Sequence, residues 1–78
     1  MIKVSGATVS VEGKTVTLTA KAGATQVVLY PTTVDGKVVE FSNRVNTKIS
    51  KAGACYAKSN GSCTMTVDGE SYNVVFAF

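Results

Sequence analysis

Histidine and tryptophan are absent from these 78 residues, proline occurs once, and there are only five acids. Without histidine no Ser-His or Cys-His pair can be assembled, and the usual proton shuttle of neutral-pH catalysis is missing. Three of the acids, Glu12, Asp35 and Asp68, each precede a glycine at a point where the chain pattern reads as a hairpin turn. A carboxylate there is solvated and serves the turn. Glu40 and Glu70 remain, and a domain of this size has little cleft in which a carboxylate pair could work. Cys55 and Cys63 are the only soft ligands, fewer than the four of a structural zinc site. The expectation is a protein that is no enzyme, with no cofactor, no metal and no small-molecule substrate.

Long hydrophobic runs are also lacking. No segment approaches the roughly 18 apolar residues of a membrane helix, and Met1-Ile2-Lys3-Val4-Ser5-Gly6 lacks the apolar centre of a signal peptide. The chain is therefore expected to be made in the cytoplasm without a signal peptide and without membrane contact. Tyr72, Val74, Phe76 and Phe78 alternate like the last strand of an outer-membrane barrel, but the chain is too short for eight spanning strands. With 45% hydrophobic residues it is too apolar for a disordered segment, and it forms one domain over residues 1–78. A chain this short hides only about 60% of the surface it exposes unfolded, which favours help from a partner subunit.

What is present is period-two alternation rich in Val and Thr, interrupted by acidic-Gly and Asn-Gly pairs. This pattern predicts an all-β fold of about seven strands, an antiparallel sandwich or a partly closed barrel. A first hairpin is read at residues 7–20 around Glu12-Gly13, with Val9 opposite Val16 and Ala7 opposite Leu18. Residues 25–34 form an apolar strand, bent at Pro31 or lying at an edge, that Asp35-Gly36 reverses into residues 37–41. Residues 44–50 fit a helix or a strand, and their β-branched content together with Gly53 favours the strand. The last third reads as a meander through Asn60-Gly61 and Asp68-Gly69, with Met65 opposite Tyr72 and Cys63 opposite Val74. Two short repeats, Val-acidic-Gly-charged and Lys-Ala-Gly-Ala, are read as recurring turn chemistry. Asn60-Gly61-Ser62 fits the glycosylation acceptor pattern, but a turn explains it without a sugar.

Three features carry functional expectations. Cys55 and Cys63 flank Asn60-Gly61 and form either a hairpin disulfide or two reduced thiols. A five-residue loop places them opposite each other, and a two-residue turn separates them. Arg44, Lys48, Lys51 and Lys58 lie in a window, residues 42–66, without any acid. If Arg44 and Lys48 share one outward strand face, they form a basic stripe suited to an acidic protein or a phosphate backbone, the alternative being a solvated polar face. The third feature is apolarity on both faces of residues 25–31 and 71–78. It nominates Val28, Tyr30, Val75, Phe76 and Phe78 as a protein interface, the alternative being that both strands are central.

The run Gly6-Ala7-Thr8-Val9-Ser10-Val11-Glu12-Gly13-Lys14-Thr15-Val16-Thr17-Leu18-Thr19-Ala20, followed by Val27-Val28-Leu29-Tyr30, resembles the opening strands of bacterial and phage immunoglobulin-like domains. The likeness covers about a third of the chain, which has Leu29 or Tyr30 where those domains carry a core Trp. It implies a non-enzymatic module, and small domains of this kind occur on tailed-phage virions as decoration, tail or neck proteins. The leading expectation is a virion structural protein, a homo-oligomer or a component bound to a capsid or tail lattice. A small nucleic-acid-binding barrel that uses the basic stripe is the main alternative, and a phage-encoded inhibitor of a host protein is a third.

Overall fold

Alternation and turn chemistry produce an all-β chain in the computed structural model, which describes residues 2–78. Among the described residues there are nine strands: β1 (Ile2–Ser5), β2 (Ala7–Glu12), β3 (Thr15–Ala20), β4 (Val27–Thr33), β5 (Val39–Val45), β6 (Lys48–Ile49), β7 (Cys55–Ala57), β8 (Gly61–Val67) and β9 (Glu70–Ala77). They form a four-stranded sheet in the order β1-β4-β7-β6 and a five-stranded sheet in the order β2-β3-β9-β8-β5. Inward residues of both sheets share one core, with Val27, Leu29, Cys55 and Ala57 from the first and Val16, Leu18, Cys63, Met65, Val74 and Phe76 from the second. The fold is thus a small β-sandwich. It has more strands than the seven expected, with β1 at residues 2–5 not foreseen, and residues 44–50 are not one strand but the end of β5 and the whole of β6.

One pairing departs from the antiparallel expectation, since β3 and β9 run parallel, with Leu18 beside Phe76. β9 is therefore a central strand between β3 and β8. Its outward residues Val75 and Ala77 are half-buried by their own sheet. The β8–β9 hairpin has the expected register, Met65 opposite Tyr72 and Cys63 opposite Val74. Asp68 and Gly69 both take positive φ there, as a two-residue I′ turn requires. In the first hairpin the register shifts by two, to Val9 opposite Leu18 and Val11 opposite Val16. The turn is Gly13-Lys14, because Gly13 supplies the positive φ at its first position. A shift of two preserves the faces, so Val16 and Leu18 still point into the core.

Two expected hairpins are sheet-to-sheet crossings. Asp35-Gly36 does reverse the chain, with the Thr33 amide donating to the Lys37 carbonyl at 2.8 Å, but β5 then joins β8 in the opposite sheet. Likewise β7 and β8 lie in different sheets, and Asn60-Gly61 is a corner. The Asn60 carbonyl accepts from Asn46 Nδ2 at 3.1 Å, and its side-chain oxygen accepts from the Phe78 amide at 2.7 Å. Pro31 lies where the β1–β4 register shifts, in the middle of β4. β4 lies between β1 and β7 and is not an edge strand. Both Lys-Ala-Gly-Ala segments are turns that hold Gly23 and Gly53 at positive φ, in keeping with the turn reading of that repeat.

Candidate interaction face

β4 alternates Val27, Leu29 and Thr33 inward with Val28, Tyr30 and Thr32 outward. β7 pairs with it so that Tyr56 stands beside Val28, and β6 pairs with β7 so that Lys48 stands beside Tyr56. On the other side Ser5 of β1 stands beside Val28. Lys48, Tyr56, Val28 and Ser5 thus form one row across the outer face of the four-stranded sheet. Lys3 lies on the same face of β1 as Ser5, two residues away. Lys58 follows β7, and with Lys48, Tyr56, Asn46, Thr47 and Ser59 it lines a polar hollow of about 290 Å³ at the sheet margin. Tyr30 is 37% exposed and Tyr56 half-buried, so both rings offer apolar area to a partner.

No acid lies on these strands. The ion pairs among the described residues, Lys14–Glu70 and Lys37–Asp68, join turn-end and five-stranded-sheet residues. Lys14 also sits 4.5 Å from the centroid of the Tyr72 ring. Its hydrogen bond holds the Glu70 carboxyl below its ordinary value, and the Thr33 hydroxyl does the same for Asp35. Lys3, Lys48, Lys51 and Lys58 form no ion pair among the described residues, which leaves the four-stranded side basic.

The expected stripe is therefore rearranged. Arg44 belongs to β5 in the five-stranded sheet, and Lys48 to β6 in the four-stranded one. Between them Asn46 adopts a φ of 51° and turns the chain from one sheet to the other, so the two cations do not share a strand face. Arg44 instead lines a separate hollow with Lys14 and Tyr72. Lys48 and Lys58 are brought together, and Lys51 is exposed in the β6–β7 turn.

The apolar nominees also separate. Val28 and Tyr30 fall on the basic face, so two expectations drawn from different segments meet there. Phe76 is 1% exposed and belongs to the core, which corrects its assignment to an interface. It occupies the inward parity of β9 with Val74, between β3 and β8. Val75 faces outward on the opposite sheet, half-buried, and Phe78 is 46% exposed beyond the end of β9. Lys3 was missed because residues 2–5 were not read as a strand, although Ile2 and Val4 alternate with Lys3 and Ser5.

Cys55 and Cys63 are both fully buried free thiols. They enter the shared core from different sheets, β7 and β8, so a hairpin pairing around Asn60-Gly61 is corrected. The Cys63 thiol lowers that of Cys55, while Cys55 together with burial pushes Cys63 well up.

At the other end of the molecule Ile2, Val9, Val11, Met65, Val67 and Tyr72 line an open apolar cavity of about 250 Å³, rimmed by Asp35 and Lys37. Comparison with protein-family models, curated proteins and solved structures found no match to the chain.

Proposed function

We propose that this chain is a non-enzymatic binding domain that docks an acidic protein surface on the outer face of its four-stranded sheet. One observation carries the reading: Val28, Tyr30 and Tyr56 lie among the lysines Lys3 and Lys48, on strands without a carboxylate, and Lys58, which follows β7. An aromatic and apolar centre with a charged margin is the usual anatomy of a protein interface, and the lysines add steering towards negative charge. The resemblance of residues 6–20 and 27–30 to bacterial and phage immunoglobulin-like domains supports a structural role. We place that role in a virion assembled from cytoplasmically made subunits, as a decoration, tail or neck component.

The same lysines and the two tyrosines also favour a second reading, a phosphate backbone with stacked bases. Amide chemical-shift mapping with a polyglutamate peptide and with an oligothymidylate of equal charge separates the two. Shifts at Val28, Lys48 and Tyr56 with polyglutamate at moderate salt support the protein reading. Tighter, steeply salt-dependent shifts with the oligonucleotide support the second. Shifts confined to other surfaces, or none with either probe, overturn both. Light scattering at low and high salt, without added probe, tests whether a second copy of the chain is the partner.

A further inference from the structure

β2 is one edge of the five-stranded sheet, and β3 is its ladder partner on the other side. The Lys21 amide donates to the Gly6 carbonyl at 2.9 Å, and these two residues face each other when the β2–β3 register is carried one step past the Ala7–Ala20 pair. Bonded and non-bonded pairs alternate in an antiparallel ladder, so Thr8, Ser10 and Glu12 turn their backbone groups to β3. The amides and carbonyls of Ala7, Val9 and Val11 point the other way, to the open edge. None of them enters a turn, loop or cap hydrogen bond among the described residues. The other three edges carry features that discourage pairing: β1 and β5 have irregular registers, at Ile2/Val4 and Asn43/Val45, and β6 is two residues long and holds Lys48. β2 has an unbroken six-residue register with no proline, lysine or bulge, and its inward Val11 is 59% exposed. An edge of this kind is a template for another strand.

We infer that β2 is a homodimerisation edge, at which two copies of the chain pair β2 with β2 antiparallel about Val9 and join their five-stranded sheets into one. The edge matches itself under a twofold axis. With the axis at Val9, Val9 meets Val9 of the second copy and Ala7 meets Val11 at both ends, which makes three bonded pairs from the backbone groups left open and sets apolar inward residues against each other. Glu12 then faces Gly6 of the second copy, and Lys21 of that copy stands beyond Gly6 at the same outward parity. Glu12 and Lys21 are exposed, and neither forms an ion pair within its own chain among the described residues. Their backbones lie two ladder spacings apart, about 10 Å, and the glycine between them has no side chain to keep the two long ones from meeting. Moving the axis to Thr8 or Ser10 leaves two bonded pairs and loses both ion pairs, so charge and backbone select the same register. The edge belongs to the sheet opposite the basic face and leaves that face open.

The test is sedimentation equilibrium of the full chain from micromolar to millimolar concentration, with amide hydrogen exchange measured at both ends of that range. A monomer–dimer equilibrium is expected. The amides of Ala7, Val9 and Val11 should exchange freely in the dilute sample and slow by about tenfold or more in the concentrated one, while those of Thr8 and Ser10 are protected in both because their partners lie in β3. Glu12→Lys is expected to raise the dimer dissociation constant about tenfold without moving the melt of the dilute monomer, and adding Lys21→Glu to bring it back to within about threefold of the parent. A chain that stays monomeric at millimolar concentration would overturn the inference, as would a dimer in which the three edge amides still exchange freely. So would a dissociation constant that Glu12→Lys leaves unchanged or that the double swap does not restore.

Discussion

Lys48 stands directly opposite Tyr56 where β6 pairs with β7, and this places a cation beside an aromatic ring at the margin of the basic face. Both belong to the row that continues to Val28, so the margin charge and the apolar centre are held at fixed spacing by the ladder. Lys48→Glu combined with Lys58→Glu is expected to weaken binding of the polyglutamate probe by about tenfold or more and to remove most of its salt dependence. Both side chains are exposed, so the urea midpoint should move by less than about 0.5 kcal/mol equivalent. Isothermal titration and urea denaturation on the same samples check the two halves separately.

Phe76 and Phe78 share a parity on β9 but differ in environment. Phe76 is enclosed between the sheets beside Leu18, whereas Phe78 projects past the strand end, held through its amide by Asn60. Phe76→Ala is expected to cost about 3–5 kcal/mol, and Phe78→Ala under about 1 kcal/mol. Equilibrium urea unfolding of both variants tests the pair. Equal losses would show that the C-terminal residue is packed as deeply as Phe76.

These two phenylalanines also show how far alternation carries. Period two gave the inward parity of Val16, Leu18 and Val74 and the β8–β9 register, but it did not decide that Phe76, nominated for an interface, is core. The register is local, fixed by Asp68-Gly69 within a single hairpin. Alternation does not tell which sheet a strand joins, because a chain that crosses between layers can keep its inward and outward parity. Hence the crossing of β4 to β5, the corner at Asn60-Gly61 and the parallel β3–β9 pair were not readable. The basic stripe failed for the same reason: residues 44–50 alternate without interruption, yet the left-handed Asn46 sends Arg44 and Lys48 to opposite sheets. The cysteines were legible only as flanking a turn, with opposed and separated placements both open, and their positions in different sheets were not.

Gly61 is a corner residue whose role is space. A Cβ at this position would overlap the Val45 carbonyl oxygen and lie 3.2 Å from Asn46 Cβ, where β5 ends and the chain crosses to β6. Backbone must move to admit it. Gly61→Ala is expected to destabilise the fold by about 1–3 kcal/mol, although alanine ordinarily favours folding by reducing the entropy of the unfolded chain. Gly13→Ala is the useful contrast, since its Cβ would meet nothing within 4 Å and only the positive φ opposes it. Thermal melts of the two variants should rank Gly61→Ala as the more harmful. The reverse order would mean that the corner yields easily.

Acid should loosen the domain at the turn ends before the basic face is affected. The Asp35 carboxyl is held low by the Thr33 hydroxyl, and the Glu70 carboxyl is held low by its hydrogen bond and ion pair with Lys14. A carboxyl with a folded value below its unfolded value stabilises the fold above the unfolded value, and this is lost as pH falls through the folded one. The loss therefore begins near pH 4 and grows below it, while nothing from these two groups changes between pH 6 and 8. Lys14 and Lys37 are shifted upward by their carboxylate partners. Their contribution is complete below the ordinary lysine range and disappears only in strong alkali. The Glu70→Gln, Asp35→Asn double variant is expected to melt lower than the parent at pH 7, with the difference narrowing towards pH 2. Because all four groups are exposed, salt should shrink the Lys14–Glu70 share of that difference and leave the Thr33–Asp35 share largely in place. A gap that stays constant from pH 7 to pH 2 would mean that the substitutions act through packing, without proton linkage.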